Sequence, residues 1–87
     1  MDHPVYAAMQ AASPTTFSDF LKVALVQAKK ILQQGIDTAE ERNNVVAAIM
    51  AYYDQYINSH VPASMQASIR EGVVKGLTAG IETAANL

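Results

Sequence analysis

The chain predicts an all-α fold: a small antiparallel helical bundle of three long helices plus a short N-terminal helix, in one domain over 1–87. Two observations predict it. Apolar residues recur at three- and four-residue spacings through three long stretches, the pattern of helices with one buried face. Helix-starting and helix-ending residues punctuate those stretches: Pro4, Thr16, Asp37 and Pro62 open segments, while Ser13-Pro14 and Gly35 close them. The connections at about 34–37 and 59–62 are short, which makes neighbouring helices antiparallel.

The first helix is expected over about 4–12. Proline suits a first helical position, and Ala7, Ala8, Ala11 and Ala12 are good helix formers. Ser13 is pushed out of the helical region by the proline that follows it. Only Val5, Tyr6 and Met9 are bulky enough to anchor this piece.

The second helix is expected over 16–34. Thr16-Phe17-Ser18-Asp19 resembles a capping box with Asp in place of Glu, and Gly35 is placed to end the helix. Its apolar stripe comprises Phe17, Phe20, Leu21, Ala24, Leu25, Ala28, Ile31 and Leu32, all expected to be buried. Lys22, Lys29, Lys30 and Gln33 populate the other side. Val26 falls among them and Val23 at their edge, which marks these two valines as a secondary interface candidate.

The third helix is expected over 37–59, capped through Asp37-Thr38-Ala39-Glu40, with Glu40 and Glu41 favourable in the first turn. Val45, Val46, Ile49, Met50, Tyr52, Tyr53, Tyr56 and Ile57 form a broad apolar face. The fourth helix, expected over 62–85, starts at another first-turn proline. The regular apolar spacing from Met65 to Ile81 favours one continuous helix over a break at Gly72 or Gly76.

That last helix carries an unusual row. Ser64, Ser68, Gly72, Gly76, Gly80 and Ala84 recur every fourth residue, beside an apolar row of Met65, Ile69, Val73, Leu77 and Ile81. Residues four apart stack on one helix face, so the pair of rows makes a smooth groove beside a ridge. Each interior glycine costs about 1 kcal/mol relative to alanine, which a close backbone contact would offset. Ser68, Gly72, Gly76, Gly80, Ile69, Val73 and Leu77 are therefore the main interface candidates. The contact falls either between two chains, across a two-fold axis, or inside one chain against the second or third helix.

Other readings of the glycines fail on residue order. Gly72-Val73-Val74-Lys75-Gly76 places lysine before glycine, whereas a phosphate loop needs Gly-Lys-Ser/Thr after a strand. The four-and-four spacing also misses the dinucleotide fingerprint. A transmembrane glycine dimer needs an apolar span, which Arg70, Glu71, Lys75 and Glu82 interrupt.

Composition narrows function further. With 51% apolar and 16% charged residues, the chain can build a core. The absence of cysteine excludes disulfide scaffolds, thiol catalysis and cysteine-based zinc sites, and fits a cytoplasmic location. The N-terminal residues do not read as a secretory signal, and no stretch reaches the roughly 18 apolar residues of a membrane span. Six basic residues against eight acidic ones, spread over three segments, do not make a nucleic-acid surface.

Catalytic templates lack their parts. The histidines are His3 and His60, and the residue three before His60 is Ile57, not the Glu of a di-iron bundle. His60 shares a side with Tyr52, Tyr53 and Tyr56, where it reads either as a base assisted by a phenol or as a dipole-compatible helix end. The tyrosines read as core aromatics with wet tips or as an aromatic interface, and are secondary interface candidates. The expectation is a non-enzymatic interaction or assembly module without a cofactor. Its partner is a second copy of the chain, dimer first, or another helical protein. A bundle enclosing a small apolar ligand, lined by methionines and aromatics, is the alternative.

Overall fold

Four α-helices account for most of the chain: α1 Pro4–Ala12, α2 Phe17–Leu32, α3 Ala39–Tyr52 and α4 Gln66–Ala85. They are seen in a computed structural model that describes residues 3–34 and 38–85, the last two as backbone only. Among the described residues there is no strand, so the domain is an all-α bundle. Gly35, Asp37 and the Ala84 side chain, singled out above, lie outside the described residues.

Local chemistry sets the helix starts. The Thr16 hydroxyl accepts the Asp19 backbone N–H at 3.1 Å, and the Thr38 hydroxyl accepts that of Glu41 at 3.0 Å. The cap of α3 is thus Thr38, paired with Glu41, one residue later than the sequence pattern places it. His3 caps α1 through Nδ1, which accepts the Val5 N–H at 3.1 Å, and Pro4 follows at the first helical position. At the other end of α1, Ser13 adopts the left-handed conformation (φ 50°, ψ 50°) and returns its N–H to Met9. A C-terminal position of this kind usually holds glycine or asparagine.

α4 is continuous through all three of its glycines. A short 3₁₀ turn, Ala63–Met65, leads into it. The third helix differs from its expectation. Beyond Tyr52 it widens into a π-helical turn, Tyr53–Ile57, and then tightens into a 3₁₀ turn, Asn58–His60. Tyr53 and Ile57, the first and last residues of the wide turn, are both buried in the core.

α2 and α3 are the shared elements of the bundle. α1 packs on both of them, and so does α4. The core runs through Val5 and Met9 of α1, Phe20, Ala24, Ala28 and Leu32 of α2, Val45, Ala48, Ile49 and Tyr52 of α3, then Tyr53 and Ile57, and Val73, Leu77 and Ile81 of α4. Phe20 sits at its centre. Its ring lies parallel to Tyr52 (centroids 6.3 Å apart, 7° between planes) and tilted against Tyr53 at 5.5 Å.

The stripe on α2 is narrower than expected. Phe17 and Leu25 are exposed and Leu21 and Ile31 only half-buried, so the core face reduces to the single row 20, 24, 28, 32. The row Phe17–Leu21–Leu25 spills over the edge of the helix toward α4. There Gly72 and Gly76 carry no side chain that could cover it.

Two polar clasps hold the beginning of α4. Arg70 donates to both Asp54 carboxylate oxygens, at 2.8 and 2.9 Å, and this pairing raises its guanidinium pKa further above the ordinary value. The Gln66 amide donates to the carbonyls of Asn58 and Val61, fastening the connection.

Candidate functional site

Two concave surfaces stand out, one on each side of the α2–α3 pair. The first is an open apolar groove of about 250 Å³ between α2 and α4. Phe17 and Leu21 form one wall, Ile69, Gly72 and Gly76 the other, and Val73 the floor. Both helices supply it by the same device, a row of residues four apart. Further along these rows Leu25 reaches Gly80, so the rows climb in the same direction along the chain.

The glycine row is divided by what lies above it. A Cβ placed on Gly72 or Gly76 meets nothing within 4 Å, whereas one on Gly80 would lie 2.8 Å from Leu25 Cδ2. Gly80 therefore serves close packing inside the chain, and Gly72 and Gly76 open onto the groove. Around them Ser68 is exposed and Ile69 half-buried, while Val73 and Leu77 belong to the core. Leu77 offers no surface. Met65, one turn before Ile69, is 49% exposed and extends the apolar rim, with Phe17 at 40% and Leu25 at 38% beyond it.

Charged residues run along the α4 border of this surface. Glu71 and Lys75 precede Gly72 and Gly76 by one residue each and form an i,i+4 ion pair at 3.1 Å. Both are fully solvated, so the pair marks the edge of the apolar face without adding much stability.

The second surface lies where the end of α1 meets the end of the third helix. It is a half-open groove of about 340 Å³ lined by Gln10, Ser13, Pro14, Thr15, Tyr52, Tyr56 and His60. The helical spacing 52, 56, 60 carries both phenols and the imidazole to one side. Tyr52 and Tyr56 meet with ring centroids 4.6 Å apart, and Tyr52 also touches Tyr6 edge-on. The Tyr52 hydroxyl donates to the Pro14 carbonyl at 3.0 Å, which pins the strand of chain after α1 to the groove. Burial, with Tyr56 and Tyr6 nearby, pushes the Tyr52 pKa up, so this phenol remains a protonated donor at neutral pH.

The secondary interface candidates scatter. Tyr53 is fully buried and turns to the α2 side, edge-on to Phe17, so it reaches neither groove. Tyr52 is nearly buried, and only Tyr56, at 40%, presents a substantial surface. Val23 is half-buried against the core, and Val26, half-exposed, borders neither groove. Among the described residues no three His, Asp or Glu side chains gather as metal ligands, and no helix is long and apolar enough to cross a membrane.

Sequence reasoning did not point to Phe17, Leu21 or Leu25 as surface residues, because all three fit the buried stripe. The signal available was a facing row without side chains. It also missed Gln10, Ser13, Pro14 and Thr15, which reach Tyr52 and Tyr56 from about 40 positions away. Comparison with protein-family models, with curated proteins and with solved structures finds no match to this chain.

Proposed function

We propose that this chain is a non-enzymatic assembly module that forms a two-fold dimer through the groove between α2 and α4. The observation that carries the proposal is the open pair Gly72 and Gly76, flanked by exposed apolar side chains from two helices. Contiguous apolar surface of this kind marks contact sites on small domains. The two glycines let a partner backbone approach closely, and Phe17, Leu25 and Met65 gain burial as it does.

The border charges favour a second copy of the chain as the occupant. A two-fold axis level with Val73 sets two α4 helices antiparallel, at about −50° if ridges of every fourth residue interlock. Glu71 of one protomer then comes level with Lys75 of its partner, and Lys75 with Glu71. Such exposed pairs set register more than strength. The strength comes from the apolar strip, and the module works as a cytoplasmic assembly.

Gly76→Leu tests the reading. Leucine at 76 projects into the groove, where the monomer leaves space, so the fold is kept and association is lost. Sedimentation equilibrium is expected to give a dimer for the wild type at tens of micromolar and a monomer of unchanged helicity for the variant. A monomeric wild type at that concentration overturns the proposal.

A further inference from the structure

The groove beside Tyr52 and Tyr56 has a different chemistry from the dimer surface and lies on other elements. We propose that it is a binding site for a small, uncharged, planar ring compound that carries hydrogen-bonding groups on its edge.

Size sets the first bound. An enclosed cavity of about 150 Å³ accepts benzene, and this half-open groove measures about 340 Å³. It therefore receives one ring, or two fused rings, with part of the ligand left in water.

The lining sets the second. Its seven residues include no Asp, Glu, Lys or Arg. Asp54, which lies between Tyr52 and Tyr56 in sequence, is committed to Arg70 with both carboxylate oxygens. A ligand bringing a full charge into the groove would lose hydration without meeting a counter-charge. A neutral ligand loses nothing comparable.

The aromatic wall sets the third. One side of the Tyr56 ring is occupied by Tyr52, at 4.6 Å, yet the residue as a whole stays 40% exposed. That combination is a braced phenol with free ring surface, the platform on which a second planar ring stacks offset or edge-on. Around it stand hydrogen-bonding groups: the Tyr56 hydroxyl, the Gln10 amide, the Thr15 hydroxyl, the Ser13 hydroxyl, which donates to the Gln10 carbonyl at 2.7 Å and is left as an acceptor, and the His60 ring, whose tautomer can serve either role. A concavity with an aromatic wall and hydrogen-bonding groups around it has the general form of a small-molecule site.

The backbone is unusual on both walls of this groove. Ser13 holds a positive φ at the end of α1, and the third helix reaches Tyr56 through the π-helical turn. Such turns recur at functional positions. Here the wide turn sets the offset between Tyr52 and Tyr56 and delivers His60 to the rim.

The probe that tests this is benzamide, a neutral planar ring with an amide edge, against benzoate, its charged analogue of the same shape. Both are titrated into ¹⁵N-labelled protein at pH 8. Benzamide is expected to shift the backbone amides of Ser13, Thr15, Tyr56 and His60 saturably, with benzoate at least about fivefold weaker. Tyr56→Leu is expected to weaken benzamide binding by about fivefold, the scale of one lost ring–ring contact. His60→Ala, at an exposed position, serves where Tyr56→Leu disturbs the fold, and is expected to weaken binding at least about twofold. The proposal is overturned if benzamide shifts spread evenly over the surface or map to the α2–α4 groove. It is overturned equally if benzoate matches benzamide, or if a folded variant at 56 or 60 leaves the affinity unchanged.

Discussion

α1 and α4 dock on the same two helices by opposite means. α1 is short and is held by polar side chains reaching across. The His3 ring, with Nδ1 accepting from Val5, donates from Nε2 to Glu41 at 2.8 Å; the Tyr6 hydroxyl donates to Gln55 at 2.6 Å; and Tyr52 reaches back to Pro14. α4 is long, and Gln66 and Arg70 clasp its beginning. Beyond them it is held by shape, through Val73, Leu77 and Ile81 and the close approach of Gly80 to Leu25. The surfaces left over differ accordingly. Polar tethering leaves a ring-lined groove rich in hydrogen-bonding groups. Docking by shape leaves a smooth apolar one.

Both modes depend on Phe20, and removing it is the largest test of the comparison. Its ring, fully buried, touches Tyr52 on the α1 side and Tyr53 on the α4 side. Phe20→Ala is expected to cost about 3–5 kcal/mol, a large share of the roughly 4–13 kcal/mol that a domain of this length possesses. In urea titrations followed by circular dichroism and by tyrosine fluorescence, the two probes should move together. Transitions that separate would show that the α1 and α4 sides fold independently, and the shared-hub account would fail.

The divided glycine row gives the next test. Gly80→Leu displaces the partly exposed Leu25 side chain, whose tip lies 2.8 Å from a Cβ at 80, for an expected net loss of up to about 1 kcal/mol. Gly76→Leu meets open space and relieves the helix cost of glycine, so it should raise monomer stability by up to about 1 kcal/mol. Thermal melts of the two variants, at a concentration where both are monomeric, distinguish inward from outward positions. Equal losses would mean that the row acts as one packing surface.

How much of this was legible in the sequence depends on how local its cause is. Helix starts are local: Thr16, Thr38 and Pro4 act on the next few residues, and the expected elements appear within a few positions. The π-helical turn is not local. No cap, proline or glycine marks Tyr53–Ile57, so no local signal announces it. Periodicity showed that α2 has a wide apolar face, but not how much of it a neighbour covers. Phe17 stays exposed because the helix beside it presents glycine at 72 and 76, and Leu25 because its neighbour there is Gly80. The glycine row could be read as smooth, yet which glycine faces inward depends on where Leu25 falls. Likewise 52, 56 and 60 could be placed on one side of a helix, while the other wall of that groove comes from chain some 38 residues earlier.

The finest test uses the two consecutive tyrosines, which the chain sends to opposite sides. The Tyr52 hydroxyl has its acceptor in Pro14. The Tyr53 hydroxyl is buried and finds no hydrogen-bond partner among the described residues. Tyr52→Phe deletes a bond and strands a buried carbonyl, for an expected loss of about 1 kcal/mol. Tyr53→Phe deletes only a desolvated hydroxyl and should gain up to about 1 kcal/mol. Alkaline pH reads the same asymmetry. Burial raises both phenol pKa values above 10.0, helped at Tyr52 by Tyr56 and Tyr6 and at Tyr53 by Asp54, with Arg70 opposing at Tyr53. The folded state then holds these protons more tightly than the unfolded one, so stability is complete below pH 10 and falls as pH rises beyond it. Each phenylalanine variant should lose part of that fall in melting temperature between pH 9 and 11. If Tyr53→Phe instead destabilises the domain as much as Tyr52→Phe, the Tyr53 hydroxyl has a partner after all, and the α4 side is tethered by polar contacts as the α1 side is.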